Sequence, residues 1–307
     1  MFKKLGKTIY KIYEKKYKIL LIIPLILLLF AIVQISTQVA STGDIMNRDV
    51  SLSGGTTMNV NIVGIDSIAI EEFFVEKYPQ YSWDVVRVTK SGFDNGILIK
   101  LDEDDSLKID PIKADLINYI KEKGIEQDEE IINLKISSES MGAALSQSFF
   151  ITTFYALIIA FLLMALVVFM RFRTFVPSMA VILAAFSDII VTLAIVNLMG
   201  IKLSIAGIAA FLMLIGYSVD TDILLSTRVL KRREGTVLER VFTAMSPGIT
   251  MTITTLAAIL VMLFFSAAPE IQQIATIIFI GLLVDLVNTW IQNVGILRWY
   301  LERKKAD

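Results

Sequence analysis

The sequence of 307 residues contains neither cysteine nor histidine. Without cysteine, the chain forms no disulfide bond and offers no thiolate to a metal or a substrate. Without histidine, it lacks the side chain that most often transfers protons near neutral pH and the commonest nitrogen ligand of zinc. Any proton chemistry must therefore use carboxyl groups. We expect no cofactor and no nucleic-acid partner, although the formal net charge of −1 does not itself bear on nucleic-acid binding.

A phosphate-binding loop is also missing. No stretch of the sequence has the form G-x-x-x-x-G-K-[ST], whose backbone and lysine hold nucleotide phosphates. The sequence therefore gives no support for transport driven by ATP.

Apolar residues, in contrast, are abundant and occur in long runs. They make up 55% of the chain, and the mean hydropathy is +0.67. A helix needs ~20 apolar residues to cross the hydrocarbon core of a membrane. Six segments reach this length, so the sequence predicts an α-helical multi-pass membrane protein. The six predicted spans are 18–39, 148–170, 176–199, 203–227, 247–267 and 272–295.

The first span follows a lysine-rich N-terminus. Its apolar run from Ile19 to Val39 is longer than the ~7–15-residue apolar core of a signal peptide. We therefore expect residues 1–39 to comprise a cytoplasmic N-terminus and a first helix that is retained. Cleavage near Ala40 is the alternative.

Basic residues near the span ends predict the orientation of the chain. Seven N-terminal lysines lie on one side of the membrane, and the short loops on the other side carry only Lys202. The further basic residues on the lysine-rich side are Arg171, Arg173, Arg228, Lys231, Arg232, Arg233, Arg240, Arg298, Arg303, Lys304 and Lys305. We therefore expect a cell-membrane protein with both termini in the cytoplasm. In this arrangement residues 40–146 lie outside the cell, 147–297 form a five-helix bundle and 298–307 form a cytoplasmic tail.

Residues 40–146, called the outer domain below, have the periodicity of a small α+β domain. A first strand is followed by a helix over Ser67–Lys77 and by two strands joined through the turn-rich stretch SGFDNG. A second helix opens at Asp110-Pro111, and Ile131–Ile136 is the predicted last strand. The order βαββαβ predicts a ferredoxin-like fold.

Four aspartates lie within the predicted spans. Asp188 is in the third span, Asp220 and Asp222 are in the fourth, and Asp285 is in the sixth. An aspartate at the centre of a membrane helix costs roughly 2.5–3.5 kcal/mol on insertion scales. No lysine or arginine lies deep within any span to neutralise it. All four acids are therefore candidates for a proton relay, and the alternative for each is a protonated, neutral donor of an interhelical hydrogen bond.

Asp220 and Asp222 point in different directions. They are two residues apart, which places them ~200° apart around a helix. We expect one of them to face the third or sixth span and the other to face a different chain. In the fifth span four threonines offer either close helix packing or a polar path. They are Thr250, Thr252, Thr254 and Thr255.

The connection between the fourth and fifth spans is amphipathic. Basic residues over 228–242 are interspersed with apolar ones. The apolar residues are Val229, Leu230, Val237, Leu238 and Val241. This pattern is typical of a helix on the membrane surface, so membrane lipids are an expected partner.

Two motifs resemble the SecF family of the SecDF protein-export complex. GYSVDTDILLSTRV in the fourth span is similar to the family's motif at that position, and DVSLSGGT is similar to the D-[FL]-x-G-G-T signature before its first outer strand. The motif residues outside the two acids are Asp49, Gly54, Gly55, Thr56, Gly216, Tyr217 and Ser218. The resemblance covers essentially the whole chain.

The resemblance implies a partner and an energy source. SecF pairs with SecD in a heterodimer of two six-span halves, of the resistance-nodulation-division type. Such a complex uses the proton-motive force to help move polypeptides outward after the Sec translocation channel. For this chain the resemblance implies a non-enzymatic accessory subunit, with SecD, the channel and the translocating polypeptide as partners.

The chain departs from bacterial members of the family at two positions. They carry N-D-T where this chain has Asp220-Thr221-Asp222, and an arginine early in the fifth span where it has Pro247. Both departures resemble the archaeal branch. They leave open which acid carries a proton and whether proton coupling is retained.

Two other functions also involve acids within a membrane. One is half of a resistance-nodulation-division-type exporter of lipids or small molecules, for which this outer domain is small. The other is an intramembrane aspartyl protease using Asp188 and Asp220. The sequence around Gly216 lacks the G-x-G-D signature of such proteases, so protein export is the function we expect.

Overall fold

The computed structural model describes residues 13, 16–90, 93–231 and 235–306. In chain order its elements are α1 (Ile22–Thr42), α2 (Val50–Ser53), β1 (Gly55–Val60), α3 (Ser67–Lys77), β2 (Trp83–Lys90), β3 (Phe93–Leu101), α4 (Ser106–Glu122), α5 (Glu129–Lys135), β4 (Ile136–Met141), α6 (Ala143–Phe172), α7 (Phe175–Leu198), α8 (Ile205–Lys231), α9 (Val237–Phe265), α10 (Pro269–Val287), a π-helix (Asn288–Asn293) and α11 (Val294–Ala306).

Six helices in this part of the chain are long and apolar enough to cross a membrane, which confirms the predicted number of spans. The first runs from Lys16 to Thr42 and contains α1, and the sixth runs from α10 through the π-helix into α11. The third, fourth and sixth spans form the centre of the bundle, since 61%, 56% and 56% of their most apolar windows are buried. The other three lie at the periphery of the bundle, where their apolar side chains are positioned to contact lipid.

The outer domain has the ferredoxin-like fold that the sequence predicts. Its four strands form an antiparallel sheet in the order β2-β3-β1-β4. Helices α3 and α4 cover one face of this sheet. The core between them contains Phe74, which stacks on Trp83 with ring centroids 4.6 Å apart, and the fully buried Ile112 and Leu116. A single buried face of this size is enough to hold a small domain together.

The predicted last strand, Ile131–Ile136, is wrong. Residues Glu129–Lys135 form the short helix α5, because the Asp128 side chain accepts hydrogen bonds from the backbone N–H groups of Glu130 and Ile131. The strand begins at Ile136 instead. Its sequence ISSESM is polar because most of β4 is exposed, so it has no apolar alternation to detect.

The helix expected to open at Asp110-Pro111 begins four residues earlier, at Ser106. The Asp105 side chain caps it by accepting from the backbone N–H of Leu107. Pro111 lies inside the helix, where its missing N–H removes one backbone hydrogen bond.

The amphipathic connection between the fourth and fifth spans forms no separate surface helix in its described residues. Arg228–Lys231 complete the last turn of α8, and α9 begins at Val237 behind a capping box of Thr236 and Glu239. The apolar residues of this stretch serve the bundle: Val229, Leu238 and Val241 are buried. Residues 232–234 lie outside the described part of the chain.

The signature DVSLSGGT holds the outer domain on the membrane bundle. Asp49 is buried, its carboxylate is 2.6 Å from the Nζ of Lys100 on β3, and its backbone N–H donates to the carbonyl of Leu203 at the outer end of the bundle. Gly54 packs against the start of α6, where a Cβ atom at residue 54 would lie 2.6 Å from the Cα of Ala143. The signature therefore specifies the joint between the domain and the bundle.

We expect Gly55→Ala to destabilise the outer domain. Gly55 has φ +137°, and a Cβ atom there would lie 2.2 Å from the carbonyl oxygen of Leu101. Overpacking of this kind costs about 1–3 kcal/mol, in addition to the cost of the unusual φ. Limited proteolysis of the purified protein should show faster cleavage within residues 40–146.

The control is Gly64→Ala. Gly64 also has a positive φ, +92°, but nothing lies within 4 Å of an added Cβ atom. Equal cleavage rates for the two variants would contradict the steric explanation.

Candidate functional site

The structure brings three of the four intramembrane aspartates together. Asp188 on α7, Asp222 on α8 and Asp285 on α10 are 0%, 0% and 1% exposed. Each comes from a different central helix, so the three carboxyls meet in the middle of the bundle. Among the described residues, no basic side chain forms an ion pair with any of them.

Asp188 is held by one hydrogen bond from each of two other helical segments. The hydroxyl of Ser218 on α8 donates to its Oδ2 at 2.5 Å, and the amide of Asn288 donates to its Oδ1 at 2.7 Å. Both acceptor oxygens are therefore occupied. In a membrane interior such bonds replace the water that a carboxyl would otherwise require.

Asp222 and Asp285 share one hydroxyl group. The Oγ1 of Thr289 is 3.0 Å from Oδ1 of Asp222 and 2.9 Å from Oδ1 of Asp285. A hydroxyl has one hydrogen to donate and two lone pairs to accept with. It can therefore donate to one carboxyl while accepting from the other when that one is protonated. Thr289 is thus placed to pass a proton between the two acids.

One segment, the π-helix, reaches all three acids. Asn288, Thr289, Gln292 and Asn293 are all buried, and their side chains extend toward α7, α8 and α10. Asn293 donates to Oδ1 of Asp222 at 2.7 Å. A π-helix widens the turn locally, and such turns occur frequently at functional sites.

Asp222 has one oxygen that no protein donor reaches. Its Oδ2 and the Oδ1 of Asn293 are both buried without a hydrogen-bond partner in the protein. A proton on the carboxyl or a water molecule would supply the missing hydrogen-bond partner of these two oxygens. Such an arrangement fits a carboxyl that binds a proton. Among the described residues, no group of three acidic side chains is placed to hold a metal ion.

Asp220 lies on the opposite side of α8 from the cluster. It is exposed, next to the 42% exposed Tyr217, in a shallow depression that Met251 and Thr255 of α9 also line. The remaining motif residues divide in the same way, since Gly216 is exposed and Ser218 is buried in the cluster.

The threonines of the fifth span bond to their own helix. Thr250, Thr252 and Thr255 each donate to a backbone carbonyl one turn earlier on α9. The neighbouring Gly248 has a packing role, because a Cβ atom there would lie 2.4 Å from the ring of Trp290 in the π-helix.

The acids and Ser218 could be identified from the sequence, but most of the residues around them could not. Thr289 and Asn293, which donate to the acids, were not among the candidates. Neither were Gln292, which donates to Ser187, and Thr221, which is 3.3 Å from Oδ2 of Asp285. A signal was present in the sequence. The stretch NTWIQN places four hydrogen-bonding side chains inside an apolar span, where each is costly unless it is paired.

Comparisons with known proteins identify the relatives of this chain. The family described as "Protein export membrane protein SecD/SecF, C-terminal" matches residues 121–303. The protein named "Protein-export membrane protein SecF" of Methanolacinia petrolearia is 36% identical over 97% of this chain and 99% of its own length. The protein of the same name from Methanocaldococcus jannaschii is 36% identical over 95% of this chain and 98% of its own length.

A solved structure has the same fold. SecDF from Thermus thermophilus, described as a translocon-associated membrane protein, matches 94% of this chain with a TM-score of 0.72 and 20% identity. The match covers 38% of that longer chain. At this identity the likeness shows the shared arrangement of helices and outer domain.

Thr289→Val should lower the stability of the bundle. The change removes the shared hydroxyl with little change of volume and leaves carboxyl oxygens with fewer partners, at a cost of about 1–3 kcal/mol. Thr250→Val is the matched control, because Thr250 is exposed and bonds only to its own helix. The control should stay within about 0.5 kcal/mol. Thermal unfolding in detergent, followed by tryptophan fluorescence, measures both, and equal midpoints would argue against the shared hydroxyl bond.

Proposed function

This chain belongs to the SecF family of protein-export membrane proteins, and on that premise we propose how it contributes to export. Protons move through the cluster of Asp188, Asp222 and Asp285 and shift the central helices. The shift changes the hold of the outer domain on a polypeptide that emerges from the Sec translocation channel. The observation that carries this proposal is the meeting of three buried carboxyls at one polar π-helix, with no basic partner among the described residues.

The proton-motive force can supply the required energy. One elementary charge that crosses a membrane potential of 100 mV releases ~2.3 kcal/mol. This exceeds the contribution of a typical hydrogen bond within a protein, ~0.5–1.5 kcal/mol. One proton that crosses the membrane therefore releases enough free energy to exchange about one such hydrogen bond in the cluster for another.

Contacts at the outer surface supply a route from the cluster to the outer domain. Helix α8 carries Asp222, and just before its outer end Leu203 exchanges backbone hydrogen bonds with Asn47 and Asp49. Helix α10 carries Asp285, and at its outer end Gln272 donates to the carbonyl of Thr89 on β2. Relative movement of α8 and α10 would therefore reach the sheet at two separate points.

The exposed position of Asp220 supports the proposal that a second protein chain covers the exposed face of α8 and α9. An aspartate that faces lipid at the depth of a membrane helix is unfavourable, and its neighbours Tyr217 and Thr255 are polar as well. We assign this face to SecD, which gives a heterodimer with Asp220 at the seam. In the solved SecDF structure this chain matches 38% of the length, which leaves more than enough of that longer chain for a partner half.

Neither alternative function is favoured by an observation. The curated relatives are named for protein export, which does not support an exporter of lipids or small molecules. A protease that uses Asp188 and Asp220 would require the two acids to meet. Asp188 on α7 is buried against one side of α8, whereas Asp220 is exposed on the other side of α8.

The orientation is tested by cysteine labelling, for which the cysteine-free sequence is suited. We expect Lys113→Cys in the outer domain to react with a membrane-impermeant maleimide in intact cells. Thr236→Cys, between the fourth and fifth spans, should react only after the membrane is opened. The opposite pattern would place the termini outside the cell and contradict the proposed localisation.

Proton coupling is tested by translocation into inside-out vesicles, with and without an imposed proton gradient. Asp222→Asn and Asp285→Asn should reduce translocation to the level seen without a gradient, because an amide cannot exchange the carboxyl proton. Asp110→Asn, an exposed acid on α4, is the control and should keep the full response. If the double variant of Asp222 and Asp285 responds to the gradient as the unaltered protein does, the proton role is refuted.

A further inference from the structure

Buried polar atoms without a partner extend from the acid cluster toward one end of the bundle. Toward the cytoplasmic end of the bundle, Ser226 lies one helical turn beyond Asp222 on α8, and Ser178 lies near the start of α7. Both side chains are 0% exposed, and neither hydroxyl has a hydrogen-bond partner in the protein. The Oδ1 of Asn293 and the Oδ2 of Asp222 have the same character.

The opposite side of the cluster is closed by apolar packing. Leu214 lies against Gly281 so closely that a Cβ atom at residue 281 would be 2.5 Å from its methyl carbon. Phe211, Ile277 and Leu282 are buried in the same region. These residues belong to a hydrophobic cluster that fills the outer half of the central helices.

The two sides therefore differ in what separates the acids from water. Along α10, the distance from Gln273 at the outer surface to Asp285 is ~18 Å at 1.5 Å per residue, and the buried side chains on this stretch are apolar. On α7 the outward side carries two buried oxygen atoms without a partner, the hydroxyl of Thr192 one turn outward of Asp188 and the Oδ1 of Asn197 near the outer end of the helix. On the cytoplasmic side Asp222 is ~14 Å from the end of α8, with Ser226 and Thr227 in between.

Buried polar atoms that no protein group satisfies are normally satisfied by internal water. We propose that the acid cluster exchanges protons with the cytoplasm through a narrow polar passage along Asn293, Ser226 and Ser178, and that Leu214 on Gly281 seals it from the outer side. The passage rests on the proposed proton role, since it assigns the side from which the cluster is reached.

The passage gives the release step a definite direction. The proton leaves Oδ2 of Asp222 for a water molecule held by the hydroxyl of Ser226. The chain of water molecules then releases one proton into the cytoplasm. The carboxylate that remains keeps the donors at its Oδ1, the amide of Asn293 and the hydroxyl of Thr289. Uptake from the outer side then requires Leu214 to leave Gly281.

Access to the passage can be measured without any translocation assay. Silver ion is close to water in size and binds a thiolate. We would place single cysteines at Ser226, Ser178 and Thr192, expose one face of oriented vesicles to silver ion, and then label the remaining free thiols with maleimide after denaturation. Ser226→Cys and Thr192→Cys form a matched pair, because each replaces a fully buried, unpartnered hydroxyl one turn from an acid of the cluster.

Silver ion on the cytoplasmic face should abolish labelling of Ser226→Cys and Ser178→Cys, and silver ion on the outer face should leave Thr192→Cys fully labelled. Thr236→Cys in the cytoplasmic loop is the accessible control, and Leu166→Cys, 56% exposed on the lipid-facing α6, is the inaccessible one. Loss of labelling at Thr192→Cys from the outer face would overturn the proposal. Persistent labelling of both serine positions from the cytoplasmic face would overturn it as well.

The seal has its own variant. In a Leu214→Ala background, silver ion on the outer face should abolish labelling of Thr192→Cys, and unchanged labelling would overturn the assignment of the seal to Leu214. Elution volume and unfolding midpoint establish that each variant is folded, and Ser178→Cys carries the test if Ser226→Cys is not. A failed passage with a preserved gradient response would leave the proton role standing, so the two proposals are separable.

Discussion

The arrangement of the bundle depends on how three carboxyls are satisfied in a place without bulk water. Asp188, Asp222 and Asp285 are stabilised by donors from neighbouring helices, and the donors come largely from Asn288, Thr289 and Asn293. The π-turn, with its i→i+5 backbone hydrogen bonds, holds these side chains in a register that differs from that of a regular α-helix. Gly248 contributes by giving the ring of Trp290 room within the same segment. The acids, the π-helix and the glycine therefore form one structural unit.

The side chains of the fourth-span motif lie in two different environments. Ser218 and Asp222 are buried among the central helices, whereas Tyr217 and Asp220 lie on an exposed face. One short stretch thus contributes both to the interior of this chain and to its exposed surface. A substitution in the motif acts on the cluster or on the exposed face according to its position around the helix.

Much of this architecture could be predicted from the sequence, because hydrophobic length and periodicity determine it. The six spans follow from the apolar runs, and the ferredoxin-like order follows from alternating and helical spacing. The divergence of Asp220 and Asp222 follows from helix geometry alone. Where a local interaction prevailed over periodicity the prediction was wrong, as at Asp128, whose cap makes a helix of a stretch with the composition of a strand.

The composition of the site could not be predicted in the same way. Which acids meet depends on the packing of α7, α8 and α10, and no spacing within one helix specifies its neighbours. No sequence pattern predicts a π-helix as reliably as hydrophobic periodicity predicts a membrane span or a strand. The surface helix expected between the fourth and fifth spans was wrong for a related reason, since Val229 and Val241 pack into the bundle rather than onto lipid.

The joint made by Asp49, with Lys100 on one side and Leu203 on the other, has a consequence for cargo. Thermodynamic linkage between two sites is reciprocal. If protonation deep in the bundle alters the grip of the sheet, then a polypeptide under tension in that grip must alter the affinity of the acids for protons by an equal factor. A subunit that holds a polypeptide and one that does not would then differ in their affinity for the next proton. Proton consumption would therefore depend on whether cargo is bound.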